Sequence, residues 1–300
     1  MIAFVAASPS IDRQHEIQAL ELGTIHRPHR VVAVPGGKAL NAARAANSLG
    51  GEVHAIALLG GHAGRWVADA LAAEGIALDQ VDGPGETRMA LSVAADGPLT
   101  EFYEPAPEIG DGHWTALEEV VERVAHHARW VAISGSLPPG APNDAYRRLA
   151  AVAHKGGAKV ALDARDNGLS EGLRAGPDFV KVNESEAAAL GIEAAQELLL
   201  AAGGGDRAAA ITHGADGLEL ATADGAVMRA TPPAIGRYPV GSGDATLGGF
   251  LTALDVGGDW PAALALAIGA AAANAEVPGA GRLDGARAAE LARDVRVIHV

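Results

Sequence analysis

Cysteine is absent from the 300-residue sequence, which excludes disulfides and thiolate metal sites and fits a reducing, cytoplasmic setting. No apolar run is long enough to span a bilayer. The opening Met1-Ile2-Ala3-Phe4-Val5 has no basic region and reads as a first strand, not a signal peptide. Basic residues are scarce: 23 Lys and Arg against 37 Asp and Glu leave a formal charge of −14. Phosphate backbones require a basic footprint, so nucleic acid is excluded as a partner. Any anionic ligand must be held by a local cluster of Arg, Lys and backbone N–H groups, against the global field. The 11 histidines are scattered without HExxH spacing, so no histidine metal site is expected.

Common catalytic signatures are missing too. Gly37-Lys38 is followed by Ala39, which breaks a Walker A loop. No GxGxxG follows the first strand, and Gly241-Ser242-Gly243 has Thr246 where a third glycine would fall. This counts against a nicotinamide enzyme. Ser136 runs into Leu137-Pro138-Pro139, so there is no nucleophile elbow.

What is present is an alternation of strands and helices. Apolar strand-like runs occupy Ile2–Ala7, Val53–Leu59, Trp130–Ile133, Lys159–Leu162, Phe179–Val182 and Ala208–Thr212. Helical stretches lie between them, at Leu40–Leu49, Arg65–Glu74, Thr115–His127, Ala145–His154 and Glu184–Leu190. That order predicts an α/β fold, a mostly parallel sheet with helices on both faces. Residues 11–34 and 87–104 instead read as extended, with polar alternation. They are expected to form a small separate sheet, a lid over one edge of a single domain, and ordinary surface hairpins fit the pattern equally well. Ligands of open α/β sheets bind beyond the carboxyl ends of the strands. The polar groups that follow the strands, such as Asp12, Ser134-Gly135-Ser136, Asp163-Ala164-Arg165 and Asn183, should therefore share one crevice.

Two elements carry candidate chemistry. In Pro239–Phe250, Gly241 and Gly243 let main-chain N–H groups approach an anion, and a helix begins near Asp244. Asp244 fits two roles, the N-cap of that helix or a base that takes a proton from an attacking hydroxyl. In Pro35–Asn41, Gly36 and Gly37 open a helix, Lys38 offers a cation and Asn41 lies about a turn later. Tight strand-to-helix packing with a solvated Lys38 explains that element equally well. Asp12 fits either a sugar diol or a turn.

With these residues in view, the chain resembles the PfkB (ribokinase-like) carbohydrate kinases, in the branch of 1-phosphofructokinase and tagatose-6-phosphate kinase. Gly36-Gly37-Lys38-x-x-Asn41 and Pro239-Val240-Gly241-Ser242-Gly243-Asp244 match the two terminal signatures. Gly85-Glu86-Thr87-Arg88, Ser134–Gly140, Lys181-x-Asn183-x-x-Glu186 and Gly214–Gly217 follow the family's order between them. The resemblance implies a three-layer α/β/α domain and transfer of the γ-phosphate of ATP to a hydroxymethyl group of tagatose 6-phosphate, fructose 6-phosphate or fructose 1-phosphate. It implies that Asp244 is the base and that Gly241, Ser242 and Gly243 form the anion hole. Asp12, Gly37 and Asn41 would contact sugar hydroxyls, while Lys38, Arg88 and Ser136 would hold the substrate's phosphate, with Arg27 and Arg30 as possible additions from the lid. Asn183 and Glu186 would organise Mg2+, largely through water. Lys181, Thr212, Gly214, Gly217 and Asn274 would border the nucleotide, and lid pairing would make a homodimer. The chain departs from the family pattern at Ser8-Pro9-Ser10, Val34, Ala39, Tyr103 and Asp163-Ala164-Arg165. These departures bear on the acceptor more than on the chemistry. The alternatives are a free-sugar or nucleoside kinase of the same fold and a non-catalytic phosphosugar-binding protein.

Overall fold

Strand β1 (Ile2–Ala6) is apolar and buried along its whole length, with Ile2, Phe4 and Ala6 in one core cluster and Ala3 and Val5 in another. Side chains alternate across a strand, so such a segment is stable only where both faces are covered. The structure, a computed structural model, describes residues 1–95 and 99–300.

The first half continues with β2 (Ser10–Glu16), β3 (Arg30–Gly36), α1 (Lys38–Ser48), β4 (Val53–Leu59), α2 (Gly61–Ala73) and β5 (Ala77–Asp82). There follow β6 (Arg88–Ala94), β7 (Thr100–Tyr103), α3 (Asp111–Ala125), β8 (Trp130–Gly135), α4 (Ala145–Lys155) and β9 (Lys159–Ala164). Then come α5 (Asp166–Leu173), β10 (Phe179–Asn183), α6 (Glu184–Ala188), α7 (Ala195–Ala201), β11 (Ala208–Thr212) and β12 (Leu218–Thr222). The chain ends with β13 (Val227–Ala230), α8 (Ser242–Asp255), α9 (Trp260–Glu276), α10 (Gly285–Asp294) and β14 (Val297–His299).

The large sheet has the order β14-β13-β12-β11-β10-β9-β8-β1-β4-β5. It is parallel from β11 to β5 and antiparallel from β11 through β14. Helices α3, α4, α5 and α7 cover one face through side chains such as Trp114, Tyr146 and Leu198. Helices α1, α2, α8 and α9 cover the other through Leu40, Leu71, Phe250 and Leu264. The result is the expected α/β/α sandwich. A separate four-stranded sheet has the order β3-β2-β6-β7. Its strands lie in the segments expected to be extended, 11–34 and 87–104, but 17–29 is the irregular connection between β2 and β3, and residues 96–98 lie outside the described residues.

The apolar runs of the sequence end within two residues of the observed strands. Strands β5, β12, β13 and β14 were not legible as such, because none is a continuous apolar run. β5 is largely exposed at the sheet edge. β12 contains Glu219, whose carboxylate is buried but accepts bonds from Arg229 Nε and Nη2 of β13 and from Ala195 N. A buried charge is tolerated there because each part of it is paired.

Phe179 of β10 is fully buried, its ring centroid 4.8 Å from that of Phe250 and 5.5 Å from that of Trp260. Phe179→Ala is expected to lower the unfolding free energy by about 3–5 kcal/mol. Urea denaturation measures this, and a loss below about 1 kcal/mol would contradict the packing described.

Candidate active site

Helix α8 starts from Gly241 in the left-handed region, at φ 83°. A Cβ there would come within 2.7 Å of Ala280 Cα and Gly281 N, so the position requires glycine for its space as well as its conformation. Ser242 N donates to Pro239 O and Ala245 N to Gly241 O. Among the described residues the Gly243 and Asp244 N–H groups are left without a main-chain acceptor. Unpaired N–H groups at a helix start attract an anion.

Asp244 lies in the first turn of α8 and does not cap it, since no side chain closes the α8 N-cap. Its Oδ2 instead accepts from Asn41 Nδ2 at 3.0 Å. Burial, reinforced by the negative charge of Asp163, pushes the Asp244 carboxyl up to about 7. Lys181, Lys38 and the Asn41 amide pull the other way. A carboxylate near neutrality suits proton abstraction.

Asp163, at the end of β9, is fully buried between two ammonium groups. Lys38 Nζ donates to its Oδ1 at 2.9 Å and Lys181 Nζ to its Oδ2 at 2.8 Å. Burial alone would raise this carboxyl, but the two lysines outweigh it and hold the pKa below the ordinary Asp range. Lys38 also donates to Glu186 Oε1 at 2.7 Å. Burial opposes its charge, yet Asp163 and Glu186 overcome that and keep the ammonium protonated.

Asn41 joins the base to a second carboxylate, because its Nδ2 also donates to Asp12 Oδ2 at 3.2 Å. Ser10 Oγ donates to Asp12 Oδ1 at 2.6 Å, and Gly37 N lies 3.4 Å from Asp12 Oδ2. At Gly36 a Cβ would sit 2.1 Å from the Asp12 carboxylate, so the glycine makes room for it.

Two cavities meet at these groups. One, of about 340 Å³, is lined by Asp12, Gly37, Asn41, Arg88 and Ser136. The other, of about 380 Å³, is lined by Lys181, Thr212, Gly214, Ser242 and Gly243, with an apolar wall that includes Ile235 and Ala272. Lys38, Asn183 and Asp244 line both. Glu186 and Gly241 lie on the first only.

Two expected residues, Asn274 and Gly217, are not at the cavity walls. Asn274 is fully buried, its Nδ2 donating to Val240 O and Ser242 Oγ and its Oδ1 accepting from Gly281 N. It therefore braces the loop before α8. Gly217 turns the chain into β12 where a Cβ would lie 2.0 Å from Ala230 O. Arg27 and Arg30 line neither cavity, and Arg30 faces Glu16 at 3.9 Å. Three residues in the site went without a role in the sequence reading: Asp163, Arg165 and Tyr103. All three lie in segments already marked by their position at strand ends or in the extended region, which was the available signal.

Among the described residues no group of three His, Cys, Asp or Glu side chains could hold a metal. Asn183 Oδ1 accepts from Glu186 N and Glu186 Oε2 from Asn183 N, closing a reciprocal cap on α6. Mg2+ usually takes one or two protein carboxylates and draws its other ligands from phosphates and water. This oxygen-only pair fits that pattern.

A family description, pfkB family carbohydrate kinase, matches residues 4–284. A 1-phosphofructokinase of Haloferax volcanii is 36% identical over 269 residues, covering 86% of this chain and 85% of the relative. A 1-phosphofructokinase of Rhodobacter capsulatus is 31% identical over 270 residues, covering 86% and 85%. Phosphofructokinase-2 from Escherichia coli, solved in complex with fructose-6-phosphate, superposes with a TM-score of 0.88 at 24% identity, covering 98% of each chain. That last likeness establishes the fold.

The Asp244 carboxyl titrates near 7 in the folded chain and near 4 unfolded. Between those values the native state binds the extra proton, so this group's contribution to stability falls as pH rises from about 4 to about 7. Asp244→Asn should therefore gain stability over the parent as pH rises, by up to about 4 kcal/mol at pH 8. Denaturation at pH 5 and pH 8 measures the gap, and a gap independent of pH would contradict the burial assigned to this carboxylate.

Proposed function

Because this chain belongs to the pfkB family of carbohydrate kinases, ATP-using phosphotransferases with an alcohol acceptor, we propose that it phosphorylates a ketohexose phosphate at its free hydroxymethyl group. Fructose 1-phosphate is the first candidate, on the strength of the two relatives named 1-phosphofructokinase. The observation that carries the reading is the meeting of two cavities at one perturbed carboxylate, Asp244, beside Lys38.

In this reading the cavity at Asp12, Asn41 and Arg88 takes the sugar, and the cavity at Thr212, Gly214 and Ala272 takes the nucleotide. Asp12 and Asn41 orient the sugar hydroxyls, and the acceptor hydroxyl gives its proton to Asp244. The oxygen then bonds to the γ-phosphorus as the bond to the β-phosphate oxygen breaks. Phosphoryl transfer is largely positioning and charge stabilisation. The N–H groups of Gly243 and Asp244, free at the start of α8 while Ser242 N is held by Pro239 O, receive the equatorial oxygens, with Lys38 and Lys181 adding positive charge. Asn183 and Glu186 would hold Mg2+, which when bound would offset phosphate charge. Gly217 and Asn274 support the nucleotide side through the backbone. Arg88 and Ser136 receive the sugar's own phosphate, a dianion well matched by a guanidinium fork. The chain acts as one domain whose small sheet is a lid that excludes water. A cytoplasmic homodimer paired through that lid completes the reading.

Coupled ADP release tests it against fructose 1-phosphate, fructose 6-phosphate, tagatose 6-phosphate, ribose and adenosine. The highest kcat/KM is expected with fructose 1-phosphate, and a preference for ribose or adenosine would overturn the assignment. Asp244→Asn should lower kcat by roughly 10²–10⁴-fold. Arg88→Ala should raise KM for the phosphosugar by roughly 10–100-fold, as expected for a lost charged hydrogen bond. An unchanged KM would point to an unphosphorylated acceptor.

A further inference from the structure

Arg165 stands where β9 gives way to α5, at the carboxyl end of the strand, and lines the same cavity as Arg88, Ser134 and Ser136. Its side chain is 55% exposed, and its Nε lies 3.5 Å from Asp166 Oδ2, a contact too long to be a good hydrogen bond. Asp166 is itself 82% exposed. It is also the one non-glycine residue with positive φ, 53°, among the described residues. Such backbone costs about 1–3 kcal/mol and persists where the surroundings enforce it. The turn directly follows Arg165.

Arg88 and Ser134, which line the same cavity, are also short of partners. Arg88 Nη2 donates only to the Ser8 carbonyl, at 3.3 Å, while its Nε is buried with no hydrogen-bond partner. Ser134 Oγ is likewise buried without a partner, and Ser134 is 4% exposed. Two guanidinium groups therefore share a cavity without a carboxylate closing on both. Burial lowers the Arg88 pKa, Asp12 and Tyr103 oppose it, and the charge of Arg165 adds a smaller push downward.

We propose that Arg165 is a specificity-determining residue, forming with Arg88 a two-guanidinium clamp for the phosphate of a phosphorylated acceptor. The clamp rests on the ketohexose-phosphate reading above and deepens it. Without ligand Arg165 leans on Asp166; the phosphate dianion replaces that weak contact with charge-assisted, planar bonding. Asp244 lines the same cavity. The clamp would thus fix one end of the sugar while the far hydroxyl meets the base.

The test is initial-rate kinetics of Arg165→Ala and Arg165→Lys with fructose 1-phosphate and with fructose. Arg165→Ala is expected to raise KM for fructose 1-phosphate roughly 10–100-fold, with kcat at saturation and KM for ATP within about threefold of the parent. KM for fructose should not move. Arg165→Lys should recover part of the loss, because a lysine restores the charge without the planar fork. The side chain is half-exposed and weakly held, so its removal is compatible with folding. Calorimetric binding of inorganic phosphate to the parent and to Arg165→Ala gives a second readout, with weaker binding expected in the variant. If Arg88→Ala raises KM for the phosphosugar but Arg165→Ala leaves both KM and phosphate binding unchanged, the clamp is overturned and the function stands. If the parent turns over no phosphosugar at all, the function itself falls.

Discussion

The site depends on one buried carboxylate. Asp163, at the end of β9, is held by Lys38 from the start of α1 and Lys181 from β10. An isolated charge at that depth would be prohibitive, and removing one partner of such a pair typically costs about 3–5 kcal/mol. The lysines are therefore fixed by the carboxylate as firmly as they fix it. One consequence is geometric: Lys38 is stationed where the two cavities meet. The other is electrical: the negative charge of Asp163 adds to burial in raising Asp244 toward neutrality.

The helix start of α8 supplies the complementary half. Gly241 carries the left-handed turn, and Asn274 spends its whole amide on Val240, Ser242 and Gly281 to hold that turn. Because no side chain caps α8, free N–H groups remain for an anion. Asp244 points instead to Asn41, which ties it to Asp12. The cap reading, open from the local pattern, is excluded by a partner some 200 residues earlier in the chain, Asn41, which holds the carboxylate away from the helix start.

The central strands were legible because their two buried faces require unbroken apolar runs, as in β1, β4 and β11. The edge strands were not, since exposure at β5 and β14 removes that requirement. Glu219 in β12 shows a third case, a charge that a strand can bury only because Arg229 is opposite it in register. Within the site, glycines and polar residues at strand ends were recognisable one by one. Arg165 and Tyr103 lay in marked segments, a strand end and the extended region, but their roles were not legible, because their place in the cavity comes from where β9 and β7 end.

The sequence by itself determined the layered α/β architecture, the family, and the short motifs that bring glycine, lysine and carboxylate to helix starts. These follow from local periodicity and from backbone freedom at particular positions, which short segments encode. Only the tertiary structure decided which groups share a field: that Asp163 stands between two lysines, that Asn41 spans two carboxylates, that Asn274 braces a loop, and that Arg165 faces the cavity of Arg88. Desolvation and charge coupling arise from atoms far apart in the chain, and they act only once packing has excluded the water between them.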